Sequence, residues 1–130
     1  VTRGLELLDF LLATERAPEG HLSVTGVEGR HHGQPGPLWD QQGIEVSTLA
    51  DACAAACRVT GDLRWLEGVM LAGGWFLGEN DSGTPIYDAE TGAGYDGLEP
   101  GGRNENRGAE STLAALNTLQ RMREAEDVLR

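Results

Sequence analysis

The chain is short of positive charge, of cysteine and of long apolar runs, and each shortage removes a class of function. Ten basic residues stand against 21 acidic ones among 130, a net charge of −11 with histidine neutral. A nucleic-acid binder must supply Lys and Arg to displace condensed counterions, so nucleic acid is excluded as a partner, and anionic membrane surfaces with it. No apolar run approaches the roughly 20 residues of a membrane span. The N-terminus has no basic stretch leading into an apolar one and a small-residue cleavage site, so no signal peptide is expected and the chain reads as cytoplasmic.

The only cysteines, Cys53 and Cys57, are four apart on one expected helix. That spacing gives poor disulfide geometry, and they read as two small core residues kept reduced. A cysteine metal site would need more ligands. There is no Walker sequence, and Gly92-Ala93-Gly94 lacks both the third glycine and the preceding strand of a dinucleotide fingerprint. No nucleophile constellation supports serine or cysteine hydrolysis. A neutral polyol such as a sugar meets none of these objections.

What the chain does have is helical periodicity. Its length fits one domain or a piece of one, burying roughly two-thirds of its unfolded surface. Leu5, Leu8 and Leu12, widened by Leu7 and Leu11, predict a helix over about 3–15, capped by Thr2 and apolar enough to be buried between neighbours. A second helix is expected over about 42–59, where the alanines let another helix approach closely. Gly61 suits the left-handed position that ends it, and Asp62 the start of a third over about 62–77. Gly73-Gly74 inside that helix costs on the order of 2 kcal/mol of intrinsic helix stability, which close packing or a bend would explain. A fourth helix is expected over about 110–127. Strand signals are sparse, with Leu22–Thr25 a candidate. The fold class is therefore mainly α, with residues 42–77 an antiparallel αα-hairpin.

Residues 75–112 concentrate the polar chemistry. Asp81, Asp88, Asp96, Asn104, Asn106 and Glu110 lie there among eight glycines. Long connections without secondary structure are usually functional or disordered, and Trp75, Phe76, Ile86, Tyr87 and Tyr95 give this one something to bury. Two helices that read as buried on nearly every side, with long irregular segments at one set of helix ends and the Thr60–Asp62 turn at the other, suit an α/α toroid, whose longer loops build a central site. Four helices make only part of such a ring.

Particular residues resemble those of a known family. Trp39-Asp40-Gln41-Gln42 with Glu45, Thr60-Gly61-Asp62, Trp75-Phe76-Leu77-Gly78, Tyr87-Asp88, Thr91-Gly92, Asp96-Gly97-Leu98, Asn104 with Asn106, and Gly108-Ala109-Glu110-Ser111-Thr112 are similar to a toroid segment of bacterial carbohydrate-active proteins. Those proteins carry a six-hairpin (α/α) toroid like that of glycosidases and are often labelled glycosyltransferases, a transferase domain being attached. The resemblance spans about residues 20–120. It implies that residues 1–130 are the C-terminal part of such a toroid, a fragment of a longer chain, acting on glycosidic bonds as a glycoside hydrolase-like or glycosyltransferase-associated domain. The alternative is a non-catalytic glycan-binding or structural module of a transferase. The implied partners are a glycan or small sugar and a transferase domain in the parent chain.

Glycoside cleavage generally uses two carboxyl groups. The candidates are Asp40, Glu45, Asp88, Asp96 and Glu110. Asp96, beside Tyr95, ranks first as proton donor, because a neighbouring aromatic could dry its carboxyl and raise its pKa. Glu110, near a helix start, suits a base or charge stabiliser, or a cap. Asp40 is either a third catalytic group or an N-cap. Substrate contacts fall to Trp39, Gln41, Gln42, Asp88, Tyr95, Asn104 and Asn106, whose amides and rings match sugar hydroxyls and pyranose faces. Trp75 follows helical spacing and belongs to the core. His31 and His32 read as an exposed polar loop. No cofactor and no metal site are expected; calcium on Asn80-Asp81-Ser82-Gly83 and Asp88 is the weaker option, since the spacing departs from the EF-hand.

Overall fold

The computed structural model describes residues 1–130. The chain forms helices α1 (Thr2–Thr14), α2 (Gly43–Thr60), α3 (Trp65–Phe76) and α4 (Ala109–Leu129), with one two-stranded hairpin, β1 (Gly97–Glu99) with β2 (Gly102–Asn104), between α3 and α4 in the sequence. Helix occupies 49% of the chain, which makes it mainly α. No helix is long and apolar enough to cross a membrane.

The α2–α3 hairpin turns where the sequence predicts. Gly61 takes the left-handed conformation at φ 72° and returns its N–H to Cys57. Asp62 Oδ1 accepts the Arg64 N–H at 2.9 Å, so it shapes the turn, and α3 starts three residues later than Asp62. The two helices pack without large side chains between them: a β-carbon on Gly68 would sit 2.5 Å from Cys53 Sγ. Gly73 is likewise covered by Met122 of α4, which accounts for the helix-weakening Gly73-Gly74 pair. Helix α4 lies parallel to α2: Asn117 bonds Ser47 and Asp51, and one turn on Arg121 bonds Asp51.

The core runs from Leu22 and Val24 through Val46, Leu49, Cys53, Val69, Trp75 and Phe76 to Ile86, Leu98 and Ala115. Trp75 and Phe76 meet edge-to-face with ring centroids 4.9 Å apart. Both cysteines are free, and burial pushes the Cys53 thiol up to about 12.

Helix α1 departs from expectation. None of its residues is buried, and Leu7 and Phe10 are 60% and 59% exposed. Its leucine stripe is broader than the strip that α2 covers, so the predicted burial between neighbours is not met within this chain. Thr2 lies inside the helix, and Val1 takes the cap position without a side-chain bond. The β1–β2 hairpin was not foreseen; its strands are three residues each, too short for an alternating pattern to register.

Candidate functional site

Residues 75–112 fold tightly against the ends of the helices. After α3 the chain reverses through Asn80, whose Nδ2 donates to the Trp75 and Thr84 carbonyls while its Oδ1 accepts from Ser82 and Thr84. Residue 86 returns to bond Phe76, and Tyr95 bonds Ile86. Gln41 and Leu98 exchange both backbone hydrogen bonds, at 3.0 and 2.8 Å, which docks β1 beside the entrance to α2. Gly94 packs onto the Ser111 backbone at the start of α4. The loop therefore joins the N-terminal ends of α2 and α4.

Reversal at Asn80 aims Asp81 inward. Asp81 Oδ1 bonds His21 Nε2 at 2.7 Å, and its Oδ2 accepts from Ser23 Oγ at 2.5 Å and Gln41 Nε2 at 2.7 Å. Gln41 completes the network by accepting the Trp75 indole N–H at 2.9 Å. Burial alone would favour the protonated carboxyl, but donation from Ser23, His21 and Gln41 outweighs it and holds Asp81 below the usual carboxylate range. An ionised carboxylate only accepts, so His21 Nε2 carries the hydrogen. Its Nδ1 has no partner within the protein.

Above Asp81 opens a polar cleft of about 540 Å³, walled by Arg16, Glu19, His21, Ser23 and Arg30. The Asp81 side chain is 8% exposed and that of His21 21%, so the histidine is the member of the pair that meets the cleft. Segment 15–25 is set by Glu15, buried at the end of α1, whose Oε1 accepts the Thr25 N–H and whose carbonyl accepts that of Ser23.

Of the predicted residues only Gln41 belongs to this network; the others flank the entrance to α2 or form a second group. Gln41 is fully buried at the centre of the network. Gln42 takes the cap position of α2 without a side-chain bond, its Nε2 alongside Gly97. Trp39 is half-buried against the core, and its backbone lies so close to Gly26 that no β-carbon fits there. Asp40 is half-buried; its carbonyl accepts the Val27 N–H, and its carboxylate has no partner in the protein.

In the second group Asp96 Oδ1 accepts the Gly108 N–H at 2.7 Å, at the entrance to α4. Asn104 Oδ1 accepts the Asn106 N–H, and the Asn106 carbonyl accepts the Asp96 N–H. Asp88 closes a turn onto Glu90 and faces Arg107 at 3.2 Å; hydrogen bonds from Thr91 and the Glu90 backbone lower its pKa. Tyr95 is buried beneath the Arg103 guanidinium, 3.7 Å from its ring. Glu110 is exposed in the first turn of α4. Glu45 faces a separate groove between α1 and α2, where burial and the nearby Glu15 raise its pKa.

No protein-family model matches the sequence, and no curated protein matches it.

The side chains offered for calcium are engaged within the protein. Asn80 is spent on its own loop, Asp81 on His21, Ser23 and Gln41, and no group of three or more His, Cys, Asp or Glu side chains is placed to hold a metal ion.

Asp81, His21, Ser23 and Arg30 were not selected as site residues from sequence. From sequence Asp81 reads as one acidic residue of a polar loop and as an oxygen ligand of the calcium option, and His21 and Ser23 lie some 60 residues from it in the chain. The alternation Leu22-Ser23-Val24 is the one local signal: it buries Leu22 and Val24 and turns Ser23 to the opposite side.

Proposed function

We propose that this chain is a carbohydrate-active domain of the (α/α)-toroid type, glycosidase-like or transferase-associated, that holds a polyhydroxylated ligand in the cleft above Asp81. The observation that carries this reading is the meeting of Asp81, His21, Ser23 and Gln41, from three distant segments, at the base of a polar cleft. That network is fixed by its own hydrogen bonds and leaves His21 Nδ1 and the polar walls of the cleft to meet sugar hydroxyls, each of which both donates and accepts. Asp40, next in the chain to Gln41 and with a carboxylate that no protein group engages, is the side chain best able to take part in bond cleavage. The antiparallel α2–α3 hairpin and the apolar outer faces of α1 and α4, where Leu7, Phe10, Leu113 and Leu116 are exposed, agree with hairpins packed side by side in a ring.

A second reading is glycan binding without bond cleavage, as a module serving a transferase domain. It is supported by Asp96 and Asp81, whose carboxylates are bound to Gly108 and to three side chains. Both serve the fold as hydrogen-bond acceptors.

The test is titration of the ¹⁵N-labelled chain with neutral malto-, cello- and manno-oligosaccharides, followed by amide shifts and by chromatography of the sugars. Shifts confined to the cleft and weakened by Asp40→Asn support the proposal. Products that vanish in Asp40→Asn select the catalytic form, and binding without products the second reading. Shifts scattered over the surface, or none, would end both.

A further inference from the structure

We propose that the ligand of this cleft carries an oxyanion, a phosphate or carboxylate on the sugar, and that Arg30 is its counter-ion. The inference rests on the carbohydrate reading above and narrows its substrate class.

All ten basic residues of the chain are arginines. Seven of them lie within 4 Å of a carboxylate: Arg3, Arg16, Arg64, Arg103, Arg107, Arg121 and Arg130. Arg30, Arg58 and Arg123 do not, and of these only Arg30 is half-buried. Within the cleft, Arg16 is held by Glu67 at 2.8 Å and His21 by Asp81. Arg30 is thus the cleft's one cation without a carboxylate, in a chain where acidic groups outnumber basic ones two to one.

Its guanidinium is also fixed. Arg30 Nη1 donates to the Gln34 carbonyl at 2.7 Å and Nε reaches Thr25 Oγ1 at 3.4 Å, while Gln34 Oε1 accepts the His31 N–H and closes the loop. Those bonds engage Nε and Nη1 and leave Nη2 without a protein partner. Arg30 lines the cleft together with Ser23 and Asp81. The space that a β-carbon on Gly36 would fill lies 3.3 Å from Ser23 Oγ and 3.6 Å from Arg30 Nη2. A pinned guanidinium with free donors is suited to phosphate or carboxylate oxygens, and little side-chain freedom is lost when it binds them.

The opposing charges do not block such a ligand. Both Asp81 oxygens are occupied by protein donors, and Glu19 is exposed at the rim. His21 Nδ1, free of protein partners, adds a second polar contact on the same wall.

The experiment is calorimetric titration at low ionic strength of the full chain with glucose, glucose 6-phosphate, glucuronate and inorganic phosphate. The expected result is affinity about tenfold or more higher for at least one charged sugar than for glucose. The two charged sugars tell phosphate from carboxylate. Arg30→Gln should reduce the charged sugar to the level of glucose. Because that change could also loosen the 30–34 turn, Gly36→Ala serves as the second variant: it keeps the guanidinium and fills the space before it, and it should weaken the charged sugar as well. Equal affinity for charged and neutral sugars, or a preference that survives both variants, overturns the proposal while leaving the carbohydrate reading in place. Phosphate binding that no sugar improves upholds the anion contact and removes the carbohydrate. Absence of binding by every probe removes both.

Discussion

Gln41 and Trp75 form the buried joint between the polar network and the core: the indole N–H donates to Gln41 Oε1 at 2.9 Å, and both side chains are fully buried. The same amide donates to Asp81 on its other side. A single side chain therefore satisfies an indole and a carboxylate that would otherwise be desolvated without partners. Gln41→Leu keeps much of the volume and removes both bonds. Unpaired buried groups cost about 1–3 kcal/mol each, so a loss of roughly 3 kcal/mol is expected. Urea denaturation with an unchanged slope and a lower midpoint would record it. A midpoint matching the parent would mean that water or rearrangement replaces the amide.

Asp81 should also set part of the acid limit of stability. Its carboxyl titrates lower in the folded chain than in the unfolded one, because donation from three side chains overcomes its burial. A depressed folded pKa adds stability above the unfolded value of about 3.9, and that contribution drains away as pH falls through the folded value. Asp51, with Arg121 and Asn117 bonded to its carboxylate against a burial cost, acts in the same sense, and Glu45, raised by burial and by Glu15, in the opposite one. The diagnostic is thus the difference between the parent and Asp81→Asn. Their gap in melting temperature should be constant near neutrality and shrink steadily below about pH 4. A gap independent of pH down to the acid transition would show that Asp81 contributes no proton linkage.

Sequence periodicity carries the helices because each must hide an apolar stripe from water. Gly61, Gly73 and Gly74 are likewise readable, since their roles depend on local backbone form or on a missing side chain. Periodicity fails at α1, where a stripe of leucines states only that something should cover it. The loop shows the other limit. Its oxygen-rich composition is plain in the sequence, yet Asn80 spends its side chain on backbone within five residues, and Asp88 and Asn104 each accept a backbone N–H two residues on. The network around Asp81 depends on a reversal at Asn80 and on contacts across 40 to 60 residues, and no spacing rule encodes these. Gln41 was selected as a ligand contact, and its buried bridging role became legible only with the fold.

Gly94 should be intolerant of any side chain. A β-carbon there would collide with the Ser111 carbonyl, a backbone atom in the first turn of α4 that cannot swing aside. Gly94→Ala forces the loop off the helix and strains the Gly94 N–H bond to Thr112 Oγ1, 3.1 Å in the parent. Overpacking of this kind costs about 1–3 kcal/mol. Gly83→Ala is a poor control because of its φ of 59°, whereas Gly102→Ala meets open space at ordinary backbone angles. Thermal melts should place Gly94→Ala well below the parent and Gly102→Ala close to it.

The three carboxylates selected from sequence as catalytic should separate by stability. Asp96 holds the Gly108 N–H at the mouth of α4, and a β-carbon on Gly108 would lie 2.9 Å from its Oδ1. Asp96→Ala removes an acceptor from a helix N-terminus, a loss of about 1 kcal/mol. Asp40 and Glu110 have no side-chain hydrogen bond in the protein, so Asp40→Asn and Glu110→Gln should alter stability by less than about 0.5 kcal/mol. Residues that serve a ligand without serving the fold can be changed at no structural cost. Parallel urea titrations of the three variants therefore tell a supporting aspartate from carboxylates free for chemistry. If Asp96→Ala matched the other two, its bond to Gly108 would be dispensable and Asp96 would return to the candidates for proton transfer.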